Sequence, residues 1–238
     1  MLKVLSIGNS FSQDAHRYLH EIAKHNGSDL KTVNLYIGGC SLRTHFLNIT
    51  EDKAEYFLEI NGKSTGEKVT VDQALVCDDW DVITLQQVSS SSEKYESYTP
   101  YLEFIYDHVK QICPRAKVYI HQTWAYEEGS DGLRNKGYNC AKDMLEDVKR
   151  SYDMAYRAID ADGIIPSGQV LYNATQMGIS VHRDTFHASM GVGRYMLALT
   201  WYKALTGNDI TADSFCDFDS HVSEMEREIA IRAVNSVF

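Results

Sequence analysis

Apolar positions along this chain recur with two different periods, and the two alternate. Leu2 to Ile7 is a short, nearly continuous apolar run, the pattern of a strand buried on both faces. Ala15, Tyr18, Leu19, Ile22 and Ala23 then follow at helical spacing, which predicts an amphipathic helix ending near Asn26-Gly27. Thr32 to Ile37 predicts a second strand, closed by Gly38-Gly39. Tyr56 to Ile60 and Val69 to Val71 lie on either side of Asn61-Gly62, so a small inserted hairpin is expected near residues 56–71. Asp81 to Leu85 reads as the third strand of the sheet. Tyr101, Ile105, Val109 and Ile112 mark a helix stopped by Pro114, and Lys117 to His121 reads as a fourth strand. A polar loop spans Glu127 to Gly137. A long helix follows, with Leu145, Val148, Tyr152, Ala155, Tyr156 and Ile159 on one face. Gly163 to Pro166 gives a brief fifth strand. Ser189 to Leu205 is apolar on most sides and predicts a buried helix, and Val222, Met225, Ile229, Ala233 and Val237 form the stripe of a last helix.

Strands alternating with helices predict a mostly parallel sheet covered on both faces, a three-layer α/β/α sandwich with five central strands. No repeat, low-complexity tract or linker divides the chain, so residues 1–238 are expected to form one domain. Charge narrows the range of partners. The formal net charge of −10, without any basic run, argues against tracking a phosphate backbone or lying on an anionic membrane. The longest strongly apolar stretch, Tyr195 to Tyr202, falls far short of the ~20 residues that span a bilayer. The five cysteines are widely spaced with no C-x-x-C pair, so neither a zinc knuckle nor a disulfide framework is indicated. The compartment stays open. As written, the N-terminal run is too short for a signal peptide and points to the cytoplasm, whereas a leader removed ahead of Met1 would point to secretion or the periplasm.

In an open parallel sheet, ligands gather at the carboxyl ends of the strands. The first strand leads into Gly8-Asn9-Ser10-Phe11-Ser12, the second into Gly38-Gly39-Cys40-Ser41 and the third into Gln86-Gln87-Val88-Ser89. Asp184-Thr185-Phe186-His187 lies near the end of the chain. A serine, glycine turns, side-chain amides and an Asp-x-x-His are the parts of a serine hydrolase. Taken in order, these blocks resemble the SGNH, or GDSL-type, hydrolase superfamily from Ile7 to about Gly207. That family carries a Gly-Asp-Ser-like block after the first strand, a Gly after the second, an Asn-bearing block after the third and an Asp-x-x-His before the last helices. The Gly8-Asn9-Ser10-Phe11-Ser12 opening is similar to a little-characterised branch of it.

The resemblance implies a serine esterase acting on carboxylic esters through an acyl-enzyme, without a cofactor. Short acyl esters and O-acetyl groups on carbohydrate are the expected substrates. Ser10 would be the nucleophile, His187 its base, and Asp184 the group that orients the imidazole. Gly39 is the expected backbone donor to the oxyanion, and Asn9 and Trp124 are expected at the substrate. Two departures stand out. Asn9 replaces the family Asp, and the third block has no Asn. Gln86 or Gln87 offers the same amide on a longer arm. Strand alternation turns the two to opposite faces, so one of them is expected in the site, with Gln86 favoured.

Plainer readings compete at each position. Ser10-x-x-Gln13 fits a capping box, Asp184 fits a helix cap, His187 fits a structural hydrogen bond, Gly38-Gly39 fits a tight strand exit, and Trp124 fits a core aromatic. His16 and His20 at i, i+4 lack the Glu of a zinc-protease helix, and a solvated face is expected for them, as it is for the acidic loop Asp213 to Asp219. No metal is expected. An acyltransferase, or a binding module that keeps the pocket without turnover, uses the same residues. A homodimer is compatible with the sequence but not demanded by it.

Overall fold

The carboxyl ends of the strands frame the site. A computed structural model describes all 238 residues, Met1–Phe238. In chain order, β1 (Leu2–Gly8) leads into two short helices, α1 (Ser10–His16) and α2 (Leu19–His25), and then β2 (Leu30–Tyr36) and α3 (Leu42–Thr50). β3 (Tyr56–Ile60) and β4 (Lys63–Val69) form a hairpin, followed by α4 (Val71–Val76) and β5 (Val82–Leu85). Next come α5 (Tyr101–Ile112), β6 (Lys117–His121), α6 (Asp131–Asn135), α7 (Ala141–Ala158) and β7 (Gly163–Ile165). α8 (Ser167–Gln176), α9 (Val192–Thr206) and α10 (Glu224–Asn235) complete the chain.

The sheet has seven strands in the order β4-β3-β2-β1-β5-β6-β7, not five. Five are parallel. The two additional strands are those of the expected hairpin, whose β3 pairs antiparallel with β2 and so extends the sheet at its edge. Asn61 and Gly62 make its turn, both at positive φ (50° and 74°). Register aligns the carboxyl ends of the central strands: Gly8 lies opposite Tyr36, and Ile7 lies opposite both Leu35 and Leu85. The loops after β1, β2 and β5 therefore open on one rim.

Alternation along the strands sends residues into two cores of equal size. Leu5, Ile7, Val33, Leu35, Ile83 and Leu85 face α3, α4, α5 and α7. Val4 and Val82 face the opposite layer, built from α1, α2, α8, α9 and α10. α9 is buried from Val192 through Tyr202, in keeping with its apolar circumference. Beneath α1 this second layer is partly polar: Ser6, Thr32, Asn34, Thr84, Gln86 and His121 are all buried there. Such groups need partners inside the protein. Ser6 Oγ sits 2.7 Å from Thr84 Oγ1 and 2.7 Å from His16 Nε2.

The single helix expected after β1 is broken at Arg17-Tyr18. Three long-range ties fix the break. Arg17 pairs with Asp219, the Tyr18 hydroxyl donates to the Met190 carbonyl at 2.5 Å and accepts from the Asp219 amide at 2.7 Å, and Gly62 packs against the carbonyls of His16 and Arg17. His16 is consequently not on a solvated face. It is buried, edge-on to Trp201, and burial lowers its pKa to about 3. His20 is bonded through Nδ1 to the Leu30 carbonyl. The acidic loop is not freely solvated either. Asp213 is buried and accepts from Asn26 and Tyr195, and Asp219 joins Arg17 to Arg194.

Candidate active site

Ser10 is the first residue of α1, but it does not cap the helix. Asn9 does: its Oδ1 accepts the Phe11 amide at 3.0 Å, and its own amide donates to Ser12 Oγ at 3.1 Å. The capping box is thus Asn9 with Ser12, and the predicted Ser10-x-x-Gln13 box does not form. Shifting the cap by one residue releases the Ser10 side chain. Its Oγ stands 2.9 Å from His187 Nε2.

His187 Nδ1 lies 2.8 Å from Asp184 Oδ2. The carboxylate can only accept, so Nδ1 carries the proton and Nε2 is left to accept from Ser10. The other Asp184 oxygen takes two backbone amides, Phe186 at 2.9 Å and His187 at 2.7 Å. Partial burial would raise the Asp184 pKa, but these three donors outweigh it and hold the group at about 2. Asp184 therefore stays charged throughout the neutral range, and its loop is closed by its own side chain.

A cavity of about 380 Å³ opens beside Ser10 and His187. Gly38, Gly39, Tyr36, Val88, Tyr126 and Phe186 are among its walls. Gly39 has φ +63°, where glycine is favoured, and neither its amide nor that of Ser10 donates to another group of the chain. Both N–H groups remain available to an oxygen in the cavity.

Of the remaining expected site residues, Asn9 borders the cavity and Gln86, Gln87 and Trp124 do not. Gln86 does not border the cavity. Its Nε2 donates to Asn9 Oδ1 at 2.7 Å and its Oε1 accepts from His121 Nδ1 at 2.9 Å. Gln87 faces the other core, where its Oε1 takes the Leu42 and Val88 amides and its Nε2 donates to Ser97. Strand alternation separates the two as expected, but both amides are consumed by the fold. Asn9 borders the cavity, yet its side chain also serves the fold, since one Nδ2–H donates to the Cys40 carbonyl at 3.0 Å and Oδ1 accepts from Phe11 and Gln86. Trp124 is a buried brace behind the site. It stacks on Phe11 with centroids 3.9 Å apart, and its Nε1 holds the Phe186 carbonyl at 2.7 Å.

Gln86, His121 and Asn9 form a directed chain. Ser167 Oγ lies 3.1 Å from His121 Nε2, and burial keeps that imidazole neutral by lowering its pKa to about 3. Its Nδ1–H fixes the Gln86 oxygen, the Gln86 amide then fixes the Asn9 oxygen, and the Asn9 amide fixes the loop that carries Gly39.

Sequence reasoning missed Asp14, Arg183 and Arg194. Asp14, one turn after Ser10, is completely buried. It accepts from Arg183 Nη1 at 2.9 and 2.8 Å and from Arg194 Nε at 2.8 Å. Arg183 immediately precedes Asp184, so this ion pair joins the Ser10 helix to the His187 loop. An acidic residue on an otherwise apolar helix face was the available signal. No group of three His, Cys, Asp or Glu side chains is arranged to hold a metal, and no helix is long and apolar enough to cross a membrane.

Comparison with solved structures places this geometry among known folds. A DUF4886 family protein from Bacteroides uniformis is 32% identical and superimposes with a TM-score of 0.89, covering 99% of this chain and 94% of that one. A candidate SGNH hydrolase from Slackia heliotrinireducens shares 19% identity at a TM-score of 0.62, over 86% of this chain and 98% of the other. A psychrotrophic esterase from Pseudoalteromonas shares 10% identity at a TM-score of 0.56, over 87% and 98% of the two chains. The fold is thus that of SGNH hydrolases. Comparison with curated proteins returned no match. The family model described as a domain of unknown function, DUF4886, matches residues 3–236, nearly the whole length. With that match and the 32% identity to the Bacteroides protein, the chain belongs to the DUF4886 family.

Proposed function

We propose that this protein is a serine esterase that hydrolyses small, neutral carboxylic esters through an acyl-enzyme. One observation carries the reading: the unbroken line from Ser10 Oγ through His187 to Asp184, ending in a cavity with two free amides. Ser10 attacks the ester carbonyl while His187 Nε2 takes its proton. Asp184, charged at any neutral pH, stabilises the imidazolium that forms. The Ser10 and Gly39 amides donate to the oxyanion. Collapse expels the alcohol, which takes the proton from His187, and water repeats the sequence on the acyl-enzyme. With Gln86 and Gln87 engaged elsewhere, backbone donors do the work of the amide expected from the resemblance.

The substrate follows from shape and charge. The cavity is small, with Val88 and Phe186 among its apolar walls, and suits a short acyl group. The net charge of −10 disfavours anionic esters. Tyr36 and Tyr126 border the cavity and suit a carbohydrate or another polyol as the alcohol, so O-acetylated sugars remain within the proposed class. An acceptor alcohol in place of water would make the same acyl-enzyme a transferase.

The test is covalent capture. Incubation with a fluorophosphonate is expected to add one label, at Ser10, and Ser10→Ala is expected to abolish both the label and p-nitrophenyl acetate hydrolysis. A wild-type protein that neither labels nor releases p-nitrophenol faster than Ser10→Ala would overturn the esterase reading in favour of a binding module. Adding glycerol to the assay separates transfer from hydrolysis by the appearance of acetylglycerol.

A further inference from the structure

Tyr126 is common to two cavities. It lines the one beside Ser10, and it also lines a second of about 320 Å³ between the loop after β6 and helices α7 and α8. It is the only residue that borders both. The second cavity has Ala125, Ala141, Leu171 and Val181 among its walls, all buried, together with Glu127, Glu128, Gln176, Ser180 and His182.

The walls on either side of Tyr126 are pinned. The Trp124 indole holds the Phe186 carbonyl, and His182 Nε2 holds the Ala125 carbonyl at 3.2 Å. The Tyr126 backbone is anchored by its amide on Met144 Sδ. Its side chain is held more loosely. The phenol oxygen is 3.4 Å from Ser89 Oγ, at the long limit of a hydrogen bond, and the ring leans on Phe186 with centroids 5.5 Å apart. Tyr126 is thus the one residue shared by the two cavities, its ring against Phe186 on the side of Ser10.

We infer that Tyr126 sets acyl-chain length: it closes the chamber beside Ser10 to short acyl groups, and the cavity behind it is a latent subsite for a medium-length alkyl chain. This inference rests on the esterase reading for its use in catalysis, but the partition itself can be read by binding alone. The ring, not the hydroxyl, does the blocking. Tyr126→Phe should therefore keep the wild type's preference for short over medium chains, whatever its absolute rate, whereas Tyr126→Ala should join the two cavities. Each methylene then buried against the apolar walls is worth about fourfold in affinity or in kcat/KM.

Two measurements test this together. Calorimetric titration with butyrate and octanoate reads the cavity without any chemistry. Tyr126→Ala should bind octanoate at least tenfold more tightly than the wild type or Tyr126→Phe, with butyrate unchanged in all three. Hydrolysis of p-nitrophenyl acetate, butyrate and octanoate reads the same profile in kcat/KM, with the optimum moving to the octanoate in Tyr126→Ala only. Tyr126→Val, a smaller truncation, provides a folded alternative should the alanine variant unfold. In the Tyr126→Ala background, Ala141→Phe should refill the rear cavity and restore the short-chain profile. Equal octanoate binding by the wild type and a folded truncation variant overturns the partition. Absence of acetate hydrolysis alongside a shifted binding profile supports the partition and instead removes the esterase reading.

Discussion

Arg183→Gln separates the two jobs that a buried ion pair can do. In the native protein Arg183 Nη1 meets both oxygens of Asp14 and the Ala188 carbonyl. Glutamine removes the charge and cannot span the same groups. Asp14 keeps Arg194, whose side chain is 9% exposed, so the carboxylate is not left alone. The Arg183 side chain is 27% exposed, which weakens its share through solvent screening. A charge-assisted bond in this setting is worth about 2 kcal/mol, which for a chain of this size lowers Tm by about 4–8 °C. Asp14→Asn is the harsher change because it leaves two guanidinium groups facing a neutral amide at a completely buried position, costing about 3–5 kcal/mol. The effect of Arg183→Gln on Ser10 should be larger than its effect on stability. Arg183 adjoins Asp184, its amide donates to the His187 carbonyl, and among the ties between the two segments its bond to Asp14 lies nearest to Asp184 and His187, beside the Ser10–His187 contact of 2.9 Å. Displacing a catalytic group by about 1 Å costs about 100-fold in rate. The assay is the rate of fluorophosphonate labelling at a temperature where circular dichroism shows the variant fully folded, with acetate kcat and KM measured in parallel. The expected result is a kcat and labelling rate near one hundredth of wild type with KM little changed. Wild-type labelling by a variant that has lost the predicted Tm would refute the positioning argument and leave the ion pair a purely stabilising one.

Other perturbations follow from the same contacts. Asn9→Asp would introduce the acidic residue of the GDSL-type block, yet here it should lower kcat by about 10- to 100-fold, because the carboxylate loses the donor to Cys40 and repels that carbonyl, moving Gly39; activity equal to or above wild type would show that the loop does not depend on this bond. Gly62→Ala should cost about 2 kcal/mol or more, since a Cβ would lie 2.6 Å from the Arg17 carbonyl at a φ of +74°, and an unchanged Tm would contradict it. Acid should unfold the protein early. His16, His45 and His121 have pKa values lowered by burial to about 3, so they contribute nothing above pH 6.5, but below it the unfolded chain takes up protons that the native state refuses. Stability should then fall by up to about 4 kcal/mol per pH unit between pH 6.5 and about 3, and a Tm that stays level from pH 7 to pH 5 would disprove this.

The sheet was legible because its strands are defined by their own residues. Lys117–His121 was read to the residue, and the Asn61-Gly62 turn followed from the two positive φ angles that only such a pair accepts readily. The attachment of the hairpin was not legible, since a two-stranded unit with one polar face gives no local sign of pairing with β2. The break between α1 and α2 was missed for a related reason: the apolar spacing runs through it, and the residues that enforce it, Asp219, Met190 and Gly62, are distant in sequence. In the candidate site, motif and order singled out Ser10, Asp184 and His187, and His187 lies in hydrogen-bond reach of the other two. The two glutamines were misjudged because a side-chain amide next to a strand end looks the same whether it faces a cavity or a neighbouring strand. Gln86 differs from a ligand-facing amide only in having His121 on one side and Asn9 on the other, and that is a fact of packing. Ser10-x-x-Gln13 reads as the capping box, but the cap falls one residue earlier, on Asn9 with Ser12.

The shortness of α1 bears on how the molecule is made. Isolated helices shorter than about 12–15 residues are marginal in water, and this one has seven. Nothing local can hold Ser10 in place. Its helix is ordered by Asn34, which takes Ser12 Oγ at 2.7 Å, by Glu59 through Asn34 and Gln13, and by Arg183 and Arg194, which are 169 and 180 residues further on than Asp14. During synthesis Asn34 and Glu59 follow the Ser10 segment closely, whereas Arg183, His187 and Arg194 emerge far later. Until then the growing polypeptide bears an ordinary serine hydroxyl, because the Ser10–His187 pair cannot close before His187 has been made.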